Sequence, residues 1–289
     1  MADATPRPDT RIRRRFEESR RQGDLGLVAY LTAGDPFLDA TRGIVLAAAE
    51  AGADVVELGV PFSDPLADGP VIQRASERAL AAGTTLDGVL DLVREIRRES
   101  QVPLVLFSYF NPVLQMGIER FAEHAKAAGA DGVLITDLPP EASSEYLRAV
   151  RARSLDTIFL VAPTTGEDRM RRIAQVSSGF LYVISRTGVT GERDTVADEL
   201  PALLRRARGA TDLPLAVGFG ISLPGHVSLL GGLADAAVVG SALVAEVERA
   251  GSAQQAASNV AARVRLLKQA GLRGMSRRDT AVPAQGGSP

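Results

Sequence analysis

The chain alternates short runs rich in Val, Ile, Leu and Phe with longer amphipathic stretches rich in Ala, Arg and Glu. Short apolar runs predict buried strands, and the longer stretches predict helices that cover them. Eight strands are predicted, beginning at Leu27, Val55, Pro103, Gly132, Thr157, Phe180, Pro214 and Ala236. Eight strand–helix units in 289 residues favour an α/β fold, a single parallel (β/α)8 or TIM barrel.

The predicted barrel spans residues 11–272, and the segment RIRRRFEESRRQG adds an extra N-terminal helix. A doubly wound parallel sheet produces the same alternation and remains the alternative fold. Two features favour the barrel: no GxGxxG follows the first predicted strand, and no linker-like stretch divides the chain. Residues 1–10 and 273–289 lack hydrophobic periodicity, so we expect both ends to be mobile.

Composition narrows the classes of function. With 33 Lys and Arg against 35 Asp and Glu, the net charge is −2, so no basic field is expected for nucleic acid or an anionic membrane. A small molecule or another protein is the expected partner. The absence of Cys excludes disulfides, thiolate nucleophiles and Cys-bound zinc, and fits the cytoplasm. We expect neither a secretory signal nor a membrane span.

The two histidines, His124 and His226, are predicted to be exposed and structural. Acid–base chemistry in this chain therefore falls to carboxylates. In VVELGV, strand alternation places Val55 and Glu57 on one face and Val56 and Leu58 on the other. The aliphatic face suits packing against helices, so Glu57 is predicted to point into the barrel. A salt-bridged glutamate that ties neighbouring strands together is an equally good interpretation of this residue alone.

The segment PFSDPLADGP follows this strand as an acidic loop. Prolines and the Asp-Gly-Pro end restrict its backbone, so Asp68 is predicted to be held in place. Asp64, taken alone, fits a turn or a helix cap better. A buried Glu57 beside a loop-borne Asp68 would give two carboxylates in different environments, and one could then exchange protons while the other stays ionised.

Glycines end three consecutive predicted strands, in RTGVTG, GFGIS and GSA. Glycine lets backbone N–H groups approach an anion, and barrels commonly hold phosphate after their seventh and eighth strands. The sequence therefore predicts a phosphate site there, although no P-loop is present. RTGVTGERDT, around residues 187–195, reads either as a lid or as an ordinary surface loop.

Eight segments in chain order carry a family resemblance between about Phe16 and Leu267: LVAYLTAGDP, VVELGVPFSDPLADGPVIQ, SYFNPV, TDLPPE, VAPTT, YVISRTGVTG, VGFGIS and VVGSALV. This pattern resembles the tryptophan synthase alpha subunits, and the segment ELGVPFSDPLADGP is the most specific part of it. Ala29 stands where many members have proline. The resemblance implies retro-aldol cleavage of indole-3-glycerol phosphate to indole and glyceraldehyde 3-phosphate, with no metal and no cofactor in this chain.

The resemblance also implies roles for individual residues. Glu57 would be the general acid–base group, and Asp68 would hydrogen-bond the indole N–H. The residues expected to line the indole and glycerol pockets are Tyr30, Phe107 and Tyr182. The residues expected around the phosphate are Gly191, Gly218, Gly220, Gly240 and Ser241. Thr190 would close over Asp68.

Members of this family act with a beta subunit that carries pyridoxal phosphate, so an alpha2-beta2 heterotetramer is expected. The segments that match the docking surface contain Phe62, Ser63, Asp64, Asn111 and Pro112. Two alternatives remain open at this point. One is a stand-alone lyase that releases free indole, and the other is a barrel without activity that binds the phosphate ligand and regulates a partner.

Overall fold

The computed structural model describes residues 9–184, 199–218 and 220–279 of the chain. Nine strands within those ranges form one sheet, and every adjacent pair is parallel. The strands are β1 Gly26–Thr32, β2 Val55–Gly59, β3 Leu104–Ser108, β4 Gly132–Ile135, β5 Asp156–Ile158, β6 Leu160–Val161, β7 Leu181–Ile184, β8 Leu215–Gly218 and β9 Ala236–Val239.

Twelve α-helices lie in the described ranges. They are α1 Arg11–Gln22, α2 Leu38–Glu50, α3 Pro70–Ala81, α4 Leu86–Glu99, α5 Phe110–Met116, α6 Ile118–Ala128, α7 Ser144–Ala152, α8 Glu167–Val176, α9 Leu200–Ala210, α10 Pro224–Leu230, α11 Ser241–Glu248 and α12 Ala253–Asp279. A 3-10 turn covers Pro140–Ala142. Helix α12 thus continues seven residues past the predicted barrel end at residue 272.

The strand order closes the sheet into a barrel. It runs β5-β4-β3-β2-β1-β9-β8-β7-β6, so β1 pairs with both β2 and β9. The two strands at the ends of this order, β5 and β6, are separated only by Phe159 and are two halves of the predicted fifth strand. The predicted (β/α)8 barrel is confirmed, and the doubly wound alternative is excluded.

Side chains alternate between two cores, as the period of a strand requires. Val28, Tyr30, Val55 and Val105 belong to the smaller core inside the barrel. Val56 and its outward-facing neighbours belong to the larger core between the strands and the surrounding helices. The strands are buried on both faces, which is why their sequences read as nearly continuous apolar runs.

Helix α1 is the extra N-terminal helix that the sequence predicts, and it closes the amino-terminal end of the barrel. Its Ile12 and Phe16 are buried in the interior core, and the Phe16 ring lies 5.6 Å from that of Phe180. Thr10 caps the helix and donates a 2.5 Å hydrogen bond to Asp156. The helix therefore plugs the end of the barrel opposite the carboxyl ends of the strands.

Aspartates placed just before strands anchor this plug. Asp54, which is 2% exposed, accepts hydrogen bonds from the Leu27 N–H and from Lys268, both at 2.6 Å. It also pairs with Arg15 of α1 through the Arg15 Nε at 2.8 Å. Asp131 and Asp235 hold the strand N–H groups of Leu104 and Leu215 in the same way. One carboxylate thus joins two strands and the plug.

Asp54→Ala is expected to lower the free energy of unfolding by about 3 kcal/mol, because it removes the ion-pair partner of Lys268 and Arg15 and the acceptor of the Leu27 N–H. Urea unfolding would measure the loss. Asp39→Ala is the matched control, since Asp39 pairs with Arg42 but its side chain is 80% exposed. A change below about 0.5 kcal/mol is expected there. Equal effects of the two substitutions would contradict the anchoring role.

The alternation does not predict three of the helices: α3, α5 and α11. Helices α5 and α11 contain 7 and 8 residues and begin two residues after the ends of β3 and β9. Helix α3 starts directly after the proline-rich loop, with Gly69 as its N-cap and Pro70 in its first turn. Proline is well suited to that position because the first helical N–H has no intrahelical partner.

Candidate active site

Glu57 lies on the interior face of β2, in register with Tyr30 on β1 and Val105 on β3. Its side chain is fully buried, and neither carboxylate oxygen has a hydrogen-bond partner among the residues that the structure describes. No salt bridge is found for it there, so the strand-tying interpretation has no support. Burial raises the pKa of Glu57 to about 8, and the group therefore holds a proton at neutral pH.

Asp68 lies at the end of the acidic loop, 7% exposed. The Tyr109 hydroxyl donates a 3.0 Å hydrogen bond to its Oδ2 and accepts one, also 3.0 Å, from the Ala67 N–H. The Gln73 side chain donates to the Asp68 backbone carbonyl at 2.9 Å. Burial raises the pKa of Asp68 to about 6, and the Tyr109 hydrogen bond opposes that rise. This carboxyl is therefore mainly ionised at pH 7.

The two carboxylates interact electrostatically with the same two tyrosines, so the four side chains border one space inside the barrel. Burial raises the pKa of Tyr30 well above its usual value, with a further contribution from the charge of Asp68. Burial likewise raises the pKa of Tyr182, and here the charge of Glu57 makes the next largest contribution. Both acids thus act on the pKa of each tyrosine, and each tyrosine keeps its hydroxyl proton. An acid holding a proton and an ionised acid share this space.

Aromatic side chains wall the space on the β1 and β3 side. The rings of Tyr30 and Phe107 meet edge to face, with centroids 5.1 Å apart. A Cβ at Gly59 would overlap the Tyr30 hydroxyl, and one at Gly218 would overlap the Tyr182 hydroxyl. These two glycines therefore make room for the tyrosines.

The glycines after β8 and β9 lie at the carboxyl end of the barrel. Gly240 is the N-cap of α11 and has no side chain to satisfy the first N–H groups of that helix, which begins at Ser241. Gly220 has φ +84, a conformation that favours glycine, and a Cβ added to it would meet no described atom within 4 Å. Thr190 and Gly191, with the rest of the predicted lid at 187–195, lie outside the described residues.

The predicted partner-contact residues lie in two segments that Tyr109 brings next to Asp68; Phe62 and Pro112 are half-buried, and the other three residues are exposed. Phe62 packs against Tyr109, with ring centroids 5.2 Å apart. Ser63 and Asp64 are exposed on the acidic loop, where Ser63 donates a 2.6 Å hydrogen bond to Asp64. Asn111 and Pro112 lie in the first turn of α5, directly after Tyr109. Tyr109 therefore connects this region to the site.

Sequence reasoning missed two residues of this region, and each had a signal. Tyr109 stands in SYFNP at the carboxyl end of β3, where a barrel places its functional groups. Leu66, a large apolar residue inside an acidic loop, is 92% exposed.

The predicted exposure of His226 is wrong. Its side chain is 7% exposed, and its Nδ1 accepts a hydrogen bond from the Ser222 N–H at 3.4 Å. Helix α10 turns this residue inward because its buried face also carries Val227 and Leu230. Its Nε2 is also buried and has no hydrogen-bond partner among the described residues, so its structural role stays a prediction.

A cavity of about 400 Å³ lies at the amino-terminal end of the barrel, far from both acids. It is lined by residues such as Arg15, Asp54, Glu99 and Pro103. Its buried acid, Asp54, is already paired with Arg15 and Lys268. Across the described ranges no cluster of three or more His, Asp or Glu side chains is arranged to hold a metal ion. None of the described helices is both long and apolar enough to span a bilayer.

Comparison with known proteins gives consistent matches. The family model described as "Tryptophan synthase alpha chain" matches residues 16–272. A protein of that name from Solibacter usitatus is 54% identical over 240 residues, which are 83% of this chain and 90% of that protein. The crystal structure of tryptophan synthase subunit alpha from Legionella pneumophila superposes with a TM-score of 0.82 at 37% identity, covering 91% of this chain and 99% of that one.

A further match comes from an assembled enzyme. A chain from the tryptophan synthase α2β2 complex of Pyrococcus furiosus superposes with a TM-score of 0.79 at 41% identity. The match covers 85% of this chain and 97% of the Pyrococcus chain.

Proposed function

Because this chain belongs to the tryptophan synthase alpha chain family, we propose that Glu57 and Asp68 carry out the lyase reaction of that family. The reaction cleaves indole-3-glycerol phosphate, and the products are indole and glyceraldehyde 3-phosphate. The observation that carries the assignment is the buried carboxyl of Glu57, which lacks a partner among the described residues. A barrel interior keeps such a group only at a cost, which is typical of a functional site.

Glu57 moves two protons in this proposal. In its protonated form it delivers a proton to indole C3, which leaves the positive charge on the indole nitrogen. The resulting carboxylate then takes the proton from the glycerol hydroxyl next to the ring. The bond between C3 and the glycerol carbon breaks, its electron pair restores the indole ring, and an aldehyde forms. Glu57 ends protonated, so the cycle balances with one acid–base group.

Asp68 supports the same step from the other side of the indole. Its carboxylate would accept a hydrogen bond from the indole N–H and stabilise the charge that develops there. The lower pKa of Asp68, about 6 against about 8 for Glu57, supports this division of roles. Tyr30 and Phe107 would pack against the indole, and Tyr182 would line the glycerol end.

The phosphate would be bound at the start of α11. Gly240 and Ser241 would offer backbone N–H groups, and the helix dipole adds partial positive charge there. Gly220 lies on the neighbouring loop, and Gly218 beside it gives space to the Tyr182 hydroxyl. Gly191 would complete the phosphate site, and Thr190 would close over Asp68. Local backbone dipoles would thus hold the anion, which suits a chain whose net charge is −2.

A beta subunit is the proposed partner. Its docking surface would include Phe62, Ser63, Asp64, Asn111 and Pro112, in an alpha2-beta2 heterotetramer like that of the Pyrococcus relative. Pyridoxal phosphate would belong to the beta subunit, which would receive the indole. Leu66, exposed on the acidic loop, would belong to the same surface. The assembled Pyrococcus relative favours the subunit over a stand-alone lyase. The compartment proposed for the assembly is the cytoplasm.

Added beta subunit is expected to raise the turnover of indole-3-glycerol phosphate by this chain at least about tenfold, because docking would order the loop that carries Asp68. Indole release by the purified chain, with and without a beta subunit, measures the effect. A Leu66→Asp variant should keep the basal rate and lose the activation. Fast turnover by the chain alone, unchanged by the partner, would favour the stand-alone lyase.

A further inference from the structure

Four charged side chains form one network at the carboxyl end of the barrel. Arg74 binds both oxygens of Glu248, at 2.7 and 2.8 Å. Arg78 binds both oxygens of Asp35, each at 2.9 Å, and also reaches Glu248 at 2.9 Å. Hydrogen bonds from Arg74 lead the interactions that lower the pKa of Glu248 to about 2.

The network joins three separate parts of the chain. Asp35 lies in the loop after β1 and is 3% exposed. Arg74 and Arg78 lie one turn apart on α3, and Glu248 is the last residue of α11. An isolated surface ion pair contributes little to stability. Two arginines that each bind a carboxylate through two hydrogen bonds also fix the relative orientation of the groups they join.

The two helices in the network start at opposite ends of the proposed substrate site. Helix α3 begins at Pro70, two residues after Asp68. Helix α11 begins at Ser241, directly after Gly240. Apolar packing between them, through Ala75 and Val244 in the interior core, is not directional. The hydrogen bonds of the charged network are directional, so they can fix the position of α3 relative to α11.

We propose that Glu248, with Arg74 and Arg78, is a positioning residue that fixes the spacing between Asp68 and the start of α11. This inference rests on the proposed function. The indole end of the substrate would bind at Asp68, and its phosphate would bind at Gly240 and Ser241. Both ends contribute fully to binding only when that spacing matches the substrate.

The test compares ligands that span the site with ligands that fill one end of it. Glu248→Ala is expected to raise KM for indole-3-glycerol phosphate about tenfold and to change kcat less than about twofold. The inhibition constants of inorganic phosphate and of free indole should each change less than about twofold, because each molecule fills one end. A merely structural role would not produce this split.

Glu246→Ala is the matched control. Glu246 lies on the same helix and pairs with Arg249 of the same chain segment, without contact to α3 in the described network. Its KM should stay within about twofold of the original value. Arg74→Lys keeps the charge but loses the paired fork, and about a threefold rise in KM is expected even if Glu248→Ala fails to fold.

An unchanged KM in both Glu248→Ala and Arg74→Lys would overturn the inference. So would a parallel loss of affinity for phosphate and indole alone, because that result means general damage to the site. The proposed function is tested separately, by cleavage with the unaltered chain and its loss in Glu57→Gln. If the unaltered chain does not cleave the substrate, or if Glu57→Gln still does, the proposed reaction is refuted. If KM does not change as expected while cleavage is normal, only the positioning role is refuted.

Discussion

Glu57→Gln is expected to lower kcat for indole-3-glycerol phosphate cleavage by about 10⁴-fold while KM changes no more than a few fold. The amide keeps the size and shape of the side chain but can neither deliver a proton to C3 nor take one from the hydroxyl. Indole formation under single-turnover conditions would measure the rate. Retention of most of the turnover would remove Glu57 from the mechanism.

The same substitution is expected to stabilise the protein. The pKa of Glu57 rises from 4.5 to about 8 on folding, so the unfolded chain releases a proton that the folded protein must retain. The stability contributed by the protonated group is complete below pH 4.5 and falls as the pH rises toward 8. Glutamine does not titrate, so the free energy of unfolding of Glu57→Gln should exceed that of the unaltered protein by about 3 kcal/mol at pH 7.

Urea unfolding of both proteins at pH 5 and at pH 8 measures this advantage. We expect a small difference at pH 5 and a larger one at pH 8, with the glutamine variant more stable. An equal difference at both pH values would show that Glu57 does not retain its proton in the folded state. Stability gained with loss of activity is typical of a strained functional residue.

Asp68→Asn is expected to lower kcat/KM by about 10²- to 10³-fold, because an amide cannot neutralise the charge that develops on the indole nitrogen. The loss is incomplete because Glu57 still transfers both protons. Initial rates of indole release would measure it. An unaffected rate would remove Asp68 from the mechanism.

The pH profile gives this prediction a second readout. In the unaltered protein, kcat/KM should require ionised Asp68 and protonated Glu57, so it should rise near pH 6 and fall near pH 8. In Asp68→Asn the rise near pH 6 should disappear, and the fall near pH 8 should remain. If the rise near pH 6 persists in Asp68→Asn, a group other than Asp68 causes it.

The Tyr109 hydroxyl limits how far the pKa of Asp68 rises. Its hydrogen bond favours the ionised form of the carboxyl and so opposes the rise in pKa that burial causes. The sequence places Tyr109 at the carboxyl end of a strand, but Asp68 and Tyr109 are 41 residues apart. No local pattern predicts that contact, since it depends on how the acidic loop folds over β3.

The position of Glu57 could be predicted because it follows from local periodicity. A strand of period two that carries aliphatic residues on one face must turn the intervening residue to the other face. Its protonation could not be predicted in the same way. A salt-bridged glutamate and a partnerless one have the same sequence pattern, and only the absence of a cation near Glu57 among the described residues separates them.

The sequence by itself determined the barrel and the face on which Glu57 lies, because both follow from short-range periodicity and from the regular alternation of strands and helices. Tertiary structure decided which groups are charged and how far apart the proposed binding groups stand. Arg74 and Glu248, for example, are separated by 174 residues yet share two hydrogen bonds. Burial and such distant contacts depend on the closed barrel as a whole, so no segment read alone contains them.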